Sequence, residues 1–435
     1  MTDSKRRKGL IASAALLGGV LTVAACGGGN AATRSDDSAG DQKAQHQQAQ
    51  HQQAQQQVDE AAAKDSSDAR ITIAPKNGTP DAGIHRDAKV TVSGGKLTDV
   101  TMTAVIAKQT SATKQTVEGT LSADGTTWTP DEALARSTEY QVTAHAVDSQ
   151  GRKAVENSSF TTVSATNSFI GNFTPEDGSV VGVGMPVSIN FDKPVTNKRS
   201  VESAIKVASS SNQKVVGHWF SDTRLDFRPQ TYWKANSRVT MDLNLDDVYA
   251  SPGVKGIQDK TVAFNVGRSQ VSTVDAKSHQ MTVVRDGKTI RTIPISAGGA
   301  DNPTYNGQMV ISEKFEQTRM DGSTVGFTKK DGKGEYDIRD VPHAMRLSAT
   351  GTFIHGNYWG KGVFGTANTS HGCIGLKDVK GAGDPTTDGA WFFENSQLGD
   401  VVNVVNSDDQ TVRPDNGLNG WNMLWSQWVA GSALR

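Results

Sequence analysis

Six positions, Trp128, Pro130, Leu134, Tyr140, Val142 and Ala144, fall without gaps on Phe227, Pro229, Trp233, Val239, Met241 and Leu243, every pair 99 positions apart. A repeat of that period means one folding unit used twice. Its strands are legible. Val90-Thr91-Val92 and the run from Tyr140 to Ala146 alternate apolar and polar side chains, as do Val187 to Phe191 and Val239 to Leu243. Alternation of period two marks half-buried strands, and Gly94-Gly95 and Asp124-Gly125 supply turns between them.

Turn signals spaced ~8–12 residues apart over two such units predict tandem immunoglobulin-like sandwiches, at 69–165 and 166–268. Neither unit contains a cysteine, so neither has an inter-sheet disulfide. Neither carries a catalytic constellation, and both read as spacers or binding modules. His85, His145 and His218 read as ordinary surface or core residues. A chain of 435 residues has material for about three folded units. From about Gln270 a third begins, with Met281 to Val284, an Asp286-Gly287 turn and Ile290 to Ser296 forming a predicted hairpin. Short strands and glycine-rich segments then run to Val404, and 269–407 is the expected third domain. In the tail, 408–435, Trp421, Trp425 and Trp428 sit at i, i+4 and i+7, one face of a predicted short helix that serves as a packing lid.

The N-terminus reads as an export address. Lys5, Arg6, Arg7 and Lys8 precede an apolar run from Leu10 to Ala25, which is shorter than the ~20 residues that span a bilayer. Residues 1–25 are the expected signal peptide. Val23-Ala24-Ala25-Cys26 is similar to the lipobox of bacterial lipoproteins, which makes Cys26 the expected lipidated residue and the membrane an expected partner. Residues 26–68 hold almost no large apolar side chain, and Ala44-Gln45-His46-Gln47-Gln48 recurs at 49–53. Such a segment forms no core and is expected to be a leash. With 45 Lys and Arg against 46 Asp and Glu, nothing favours nucleic acid as a partner.

If Cys26 is lipidated, Cys373 is the remaining thiol, and a lone thiol in an exported protein is a candidate nucleophile. It stands in Thr369-Ser370-His371-Gly372-Cys373-Ile374-Gly375. His355, in Phe353-Ile354-His355-Gly356, lies upstream at the end of an apparent buried strand. An imidazole beside the sulfur would lower the thiol from ~8.5 toward ~3.5–7.5. Cys373, His371 and His355 could instead bind zinc, but a fourth ligand at suitable spacing is missing.

His355 followed by Ser370-His371-Gly372-Cys373 resembles the signature of the L,D-transpeptidases with a YkuD-type catalytic domain. The lipoprotein signal, paired immunoglobulin-like domains and Trp-rich tail are similar to the actinobacterial subgroup. The resemblance implies a mainly β fold: two sandwiches, a β-rich catalytic domain and a short helical tail. It implies Cys373 as nucleophile, His355 as base, the Gly356 carbonyl as orienter of the imidazole, and His371 as support. Backbone N–H groups at Gly372 and Cys373 would form the oxyanion hole. Met320, Tyr336, Trp359, Ser370 and Gly375 would bind substrate beneath a flap. Two positions depart from the family pattern: Gly375 stands where Asn is common, and Val325 where a flap tyrosine is common.

The implied reaction is thioester acyl transfer between peptidoglycan stem peptides, forming 3-3 cross-links and releasing D-Ala, with no metal or organic cofactor. Carbapenem β-lactams are expected covalent inhibitors. The implied location is the outer face of the cytoplasmic membrane, reaching the wall. Competing readings are an L,D-carboxypeptidase and a non-catalytic wall-binding lipoprotein. A sortase would need an Arg soon after the cysteine, where only Lys377 and Lys380 follow, and NlpC/P60 peptidases place Cys before His.

Overall fold

The computed structural model describes residues 66–85, 87–108 and 111–435. The expected signal peptide, Cys26 and the Gln-rich repeat lie outside the described residues.

Two sandwiches come first, and their strand orders repeat, the first adding a fifth strand to its facing sheet. In the first, one sheet has the order Arg70–Ala74, Lys89–Ser93, Thr127–Pro130, Gly119–Leu121. The facing sheet has Thr79–Ala82, Lys153–Thr162, Glu139–Asp148, Gly95–Lys108 and Ser111–Val117. The second sandwich matches with Gly171–Thr174, Val187–Phe191, Arg224–Pro229, Val215–Trp219, faced by Val180–Val181, Asp259–Val266, Arg238–Asn244, Ile205–Ser209. In both, the first strand of the facing sheet pairs parallel with its neighbour. The 99-residue repeat maps onto this order. Trp128 and Phe227 occupy the third strand of one sheet, and Tyr140, Val142, Ala144 and Val239, Met241, Leu243 the third strand of the other. All are buried. Each such side chain contributes ~1.5–3 kcal/mol by leaving water, which is why the repeat preserves apolar character rather than identity.

The third body is a nine-stranded sheet. Its strands are β1 (Gln270–Asp275), β2 (Gln280–Arg285), β3 (Lys288–Ser296), β4 (Gly307–Val310), β5 (Glu313–Asp321), β6 (Asp337–Arg346), β7 (Phe353–Asn357), β8 (Ile374–Lys377) and β9 (Val401–Val405). Their order is β4-β9-β1-β2-β3-β8-β7-β6-β5. β2 and β3 form the expected hairpin, and Asp286 (φ 49°) and Gly287 (φ 78°) make the left-handed two-residue turn that matches strand twist. β7 and β8 run parallel. Parallel neighbours need a crossover, and residues 358–373 supply it, delivering Cys373 to the start of β8. Helix α1 (Asp388–Glu394), capped by Thr387, packs on β6, β7 and β8. Ile293, Ile295, Met345, Ile354, Ile374, Leu376 and Phe392 fill the core beneath.

The tail departs from the expected single helical face. Trp421 lies in a 3₁₀ turn (Gly420–Asn422), Met423 is extended, and helix α2 spans Trp425–Ala430. The break follows from local competition: Asn419 and Asn422 bond the backbone of Leu347 and Gln308 instead of continuing a helix. The three tryptophans nevertheless converge on the Arg228 guanidinium, at 4.7, 5.4 and 4.2 Å from their ring centroids. Arg228 is only 2% exposed and donates to the carbonyls of Pro229, Gln230, Gly420 and Met423. Burial brings it down to about 10, so it remains a cation at neutral pH. The aromatic cage holds a residue of the chain itself, in keeping with a packing role.

Candidate active site

In the parallel register of β7 and β8, Ile354 pairs with Ile374 and His355 with Gly375. Cys373, one residue before β8, is thereby set beside Phe353, on the side of the ladder that His355 also serves. Both residues line one cavity of about 600 Å³, shared with Met320, Tyr336, Trp359, Ser370 and His371. Lys361 and Asn357 line it too, and neither drew attention in the sequence.

His355 is 5% exposed. Its Nδ1–H donates to the Gly356 carbonyl at 2.8 Å, which fixes the tautomer and leaves Nε2 as the basic nitrogen. Its ring stacks on Trp359, with centroids 5.7 Å apart. Burial, the largest influence, lowers its pKa, so the imidazole is neutral at rest.

The thiol differs from expectation. Its hydrogen bond goes to the Gly351 carbonyl, at 3.7 Å, rather than to the imidazole. Burial pushes Cys373 up to about 11. The anticipated lowering by an adjacent imidazolium is therefore absent from this state: His355 is uncharged, and the sulfur is turned toward a carbonyl, which favours S–H. A neutral thiol and a neutral imidazole thus face one cavity.

The loop before β8 is heavily tied. Ser370 Oγ donates to the Cys373 carbonyl at 2.5 Å and accepts the Gly372 N–H at 3.2 Å. The Gly372 N–H is thus engaged by Ser370 in this structure. Gly372 has φ 107°, a conformation that requires glycine and turns the chain so the sulfur reaches the cavity. Asn368 pins the loop from behind: its Oδ1 accepts the Ala297 N–H at 2.9 Å and its Nδ2 donates to the Ala276 carbonyl at 2.8 Å.

Gly375 does not line the cavity, against expectation. It pairs with His355 on one side and Ser296 on the other, within the sheet. A Cβ there would lie 3.1 Å from Asn357 Nδ2, so the glycine makes room for an amide arriving from β7. Asn357 Oδ1 in turn accepts the N–H groups of Trp359 and Gly360 and shapes the cavity rim.

His371 is sandwiched between Phe327 and Tyr336, at 5.4 and 5.0 Å, and its Nε2 lies 3.3 Å from Glu335 Oε2. Burial and then Cys373 push Tyr336 up to about 12, so its hydroxyl stays protonated. Val325, in the 3₁₀ turn Gly322–Val325 after β5, packs on Gly351, the residue that holds the thiol. A second cavity of about 470 Å³ opens on the other side of His371 and Gly372, lined also by Asp301, Phe327 and Asp409. Among the described residues no group of three or more His, Cys, Asp or Glu is arranged to hold a metal ion.

A thiol and an imidazole from neighbouring parallel segments thus open onto one cavity, the residue types that nucleophilic cysteine chemistry uses. The model of the L,D-transpeptidase catalytic domain matches residues 269–404, and that of a bacterial Ig domain residues 79–249. L,D-transpeptidase 2 of Mycobacterium tuberculosis is 30% identical over 364 residues, 84% of this chain and 85% of that protein. L,D-transpeptidase 5 of the same species is 30% identical over 372 residues, covering 84% and 77%. An LD transpeptidase solved in complex with imipenem gives a TM-score of 0.45 at 30% identity, covering 54% of this chain and 97% of that one. The chain belongs to the L,D-transpeptidases, enzymes that act on peptidoglycan.

Proposed function

We propose that the protein is an exported, lipid-anchored peptidoglycan L,D-transpeptidase with Cys373 as nucleophile and His355 as general base. The observation that carries this reading is the shared cavity, which brings the sulfur and a neutral, tautomer-fixed imidazole to one groove. Substrate entry turns the thiol from Gly351 toward His355. Because the thiol rests protonated, proton transfer to Nε2 accompanies attack instead of preceding it. The sulfur attacks the carbonyl carbon of the third residue of a tetrapeptide stem, and the Cys373 N–H meets the developing oxyanion. His355 returns the proton to the departing D-Ala amine, leaving a thioester. A side-chain amine of a second stem then attacks, forming the 3-3 cross-link and restoring the thiol. Met320, Tyr336 and Trp359 supply apolar walls for the stem, and Lys361 supplies a cation for a stem carboxylate.

Incubating the ectodomain with a disaccharide tetrapeptide is expected to yield a dimer with loss of Ala by mass spectrometry, and Cys373→Ala is expected to yield none. A tripeptide without dimer would establish the carboxypeptidase instead. The same nucleophile is expected to form a carbapenem adduct, seen as a mass increase confined to Cys373.

With Cys26 lipidated and the segment after it a leash, the enzyme would sit on the outer face of the cytoplasmic membrane with reach into the wall. Shortening 27–65, which spares Ser67 and Asp68 and their bonds to Arg152 and Asp148, is expected to lower cross-linking in cells while leaving activity on soluble muropeptides unchanged; equal loss in both assays would defeat this.

A further inference from the structure

Behind the base, on the side of β7 away from the cavity, lies a buried acid that the reaction as written does not use. Asp378 directly follows β8, and its side chain is fully buried. Oδ2 accepts from His343 Nδ1 at 2.7 Å, and Oδ1 accepts the Val379 N–H at 2.8 Å and the Thr387 hydroxyl at 2.9 Å. His343, on β6, is itself 5% exposed and held at φ 48°, a left-handed conformation rare for a non-glycine residue inside a strand. That backbone turn directs the imidazole at the carboxylate.

The carboxylate is pressed against two glycines. A Cβ on Gly356 would sit 2.1 Å from Oδ2, and one on Gly389, in the first turn of α1, would also sit 2.1 Å away. Any other residue at either position would displace the acid. Gly356 is the residue whose carbonyl receives the Nδ1–H of His355, so the acid lies one residue from the base, across a single glycine.

We propose that Asp378 is a positioning residue that acts on the base through Gly356: its carboxylate, pinned by His343 and Thr387, supplies the negative charge that a protonated His355 faces. This rests on His355 being the base. The need is physical. Taking the proton from sulfur creates a cation in a site from which water is largely removed, and such a cation requires a nearby anion. The Gly356 carbonyl and then the Asp378 charge raise the His355 pKa, against the larger lowering by burial.

Other groups around His355 do not replace it. From the groove the titratable neighbours are Cys373, Tyr336, Lys361 and His371, the last lying 3.3 Å from Glu335. From β6 the group behind it is His343, whose Nδ1 donates to the Asp378 carboxylate. From α1, Asp388 is engaged with Arg291 at 2.6 Å, and beyond β8 Lys380 is engaged with Asp340 at 3.3 Å.

The test compares Asp378→Asn, which keeps the size and most hydrogen bonds, with His355→Ala, using turnover of a disaccharide tetrapeptide as a function of pH. For Asp378→Asn the expected result is about a tenfold fall in kcat with little change in KM, together with movement of the acid-side inflection to lower pH. The sign follows from charge: without the carboxylate the imidazolium is less stable, so the base releases its proton at lower pH. A purely structural role would lower activity without moving the inflection, and that result overturns the proposal. If His355→Ala abolishes turnover while the inflection of Asp378→Asn stays in place, this inference fails and the base assignment stands. If His355→Ala turns over like the wild type, both fail. Should Asp378→Asn not fold, Asp378→Ser removes the same charge with a smaller side chain. A shift of the inflection to lower pH supports the proposal, and an unmoved inflection in the folded Asp378→Ser protein overturns it.

Discussion

The second sandwich meets a neighbour at each end, and the two junctions are built from different chemistry. Toward the first sandwich, Lys255 Nζ reaches Asp247 at 2.9 Å and Asp87 at 3.6 Å, and His85 Nε2 lies 2.9 Å from the Ile257 carbonyl. Toward the catalytic sheet, backbone pairs with backbone: the Gly182 and Gly184 N–H groups donate to the carbonyls of Leu398 and Gly399 at 2.7 and 2.9 Å. There the Trp421 indole donates to Gly184, Arg268 grips Asp400 with both arms, and the tail wraps Arg228 in three rings. Partly exposed ion pairs are worth little because water and salt compete for them, whereas buried aromatic area and paired backbone are lost only together. The second sandwich and the catalytic domain should therefore behave as one body, with the first sandwich joined to it more loosely.

The largest test of this contrast is Trp428→Ala. That indole is fully buried, donates to the Val216 carbonyl and stacks on His218 at 4.8 Å. Removing it should cost about 3–5 kcal/mol and split the calorimetric unfolding of the joint body into two transitions. A single unshifted transition would mean that the tail is ornamental. A middle-sized effect comes from pH. Burial lowers the His218 pKa below its ordinary value, so the unfolded chain binds a proton there more readily than the folded one. Stability from this group is present above about 6.5, where the unfolded imidazole is also neutral, and is lost as pH falls below it. His218→Gln should flatten that part of the Tm-versus-pH curve. The smallest effect is expected from His85→Ala at the other junction, which removes one hydrogen bond to the Ile257 carbonyl, about 0.5–1.5 kcal/mol. A loss as large as that of Trp428→Ala would erase the distinction between the two ends.

The parts of this arrangement legible in the sequence are those with local or periodic signatures. The 99-residue repeat predicted the paired sandwiches because buried positions must stay apolar, and Ser370-His371-Gly372-Cys373 with His355 marked the groove because the chemistry needs those residue types. The rest depends on residues far apart in the chain. Asp378 and His343 are 35 positions apart, and nothing in either neighbourhood announces their meeting. Asn368 is a single amide whose partners, the Ala276 and Ala297 backbone and the His279 imidazole, lie about 70–90 positions away. The engagement of the Gly372 N–H by Ser370 is local, yet it hinges on a hydroxyl rotamer. Tryptophan spacing alone suggested one helix, because periodicity does not register that Asn419 and Asn422 bind elsewhere.

The burial of the Cys373 sulfur also governs what the protein ignores. Peroxide, disulfides and stray electrophiles react with thiolates, and a sulfhydryl kept near 11 offers them almost none at neutral pH. Val325 leans on Gly351, whose carbonyl accepts from that sulfhydryl. A thiol held protonated in this way is withheld from small bystanders.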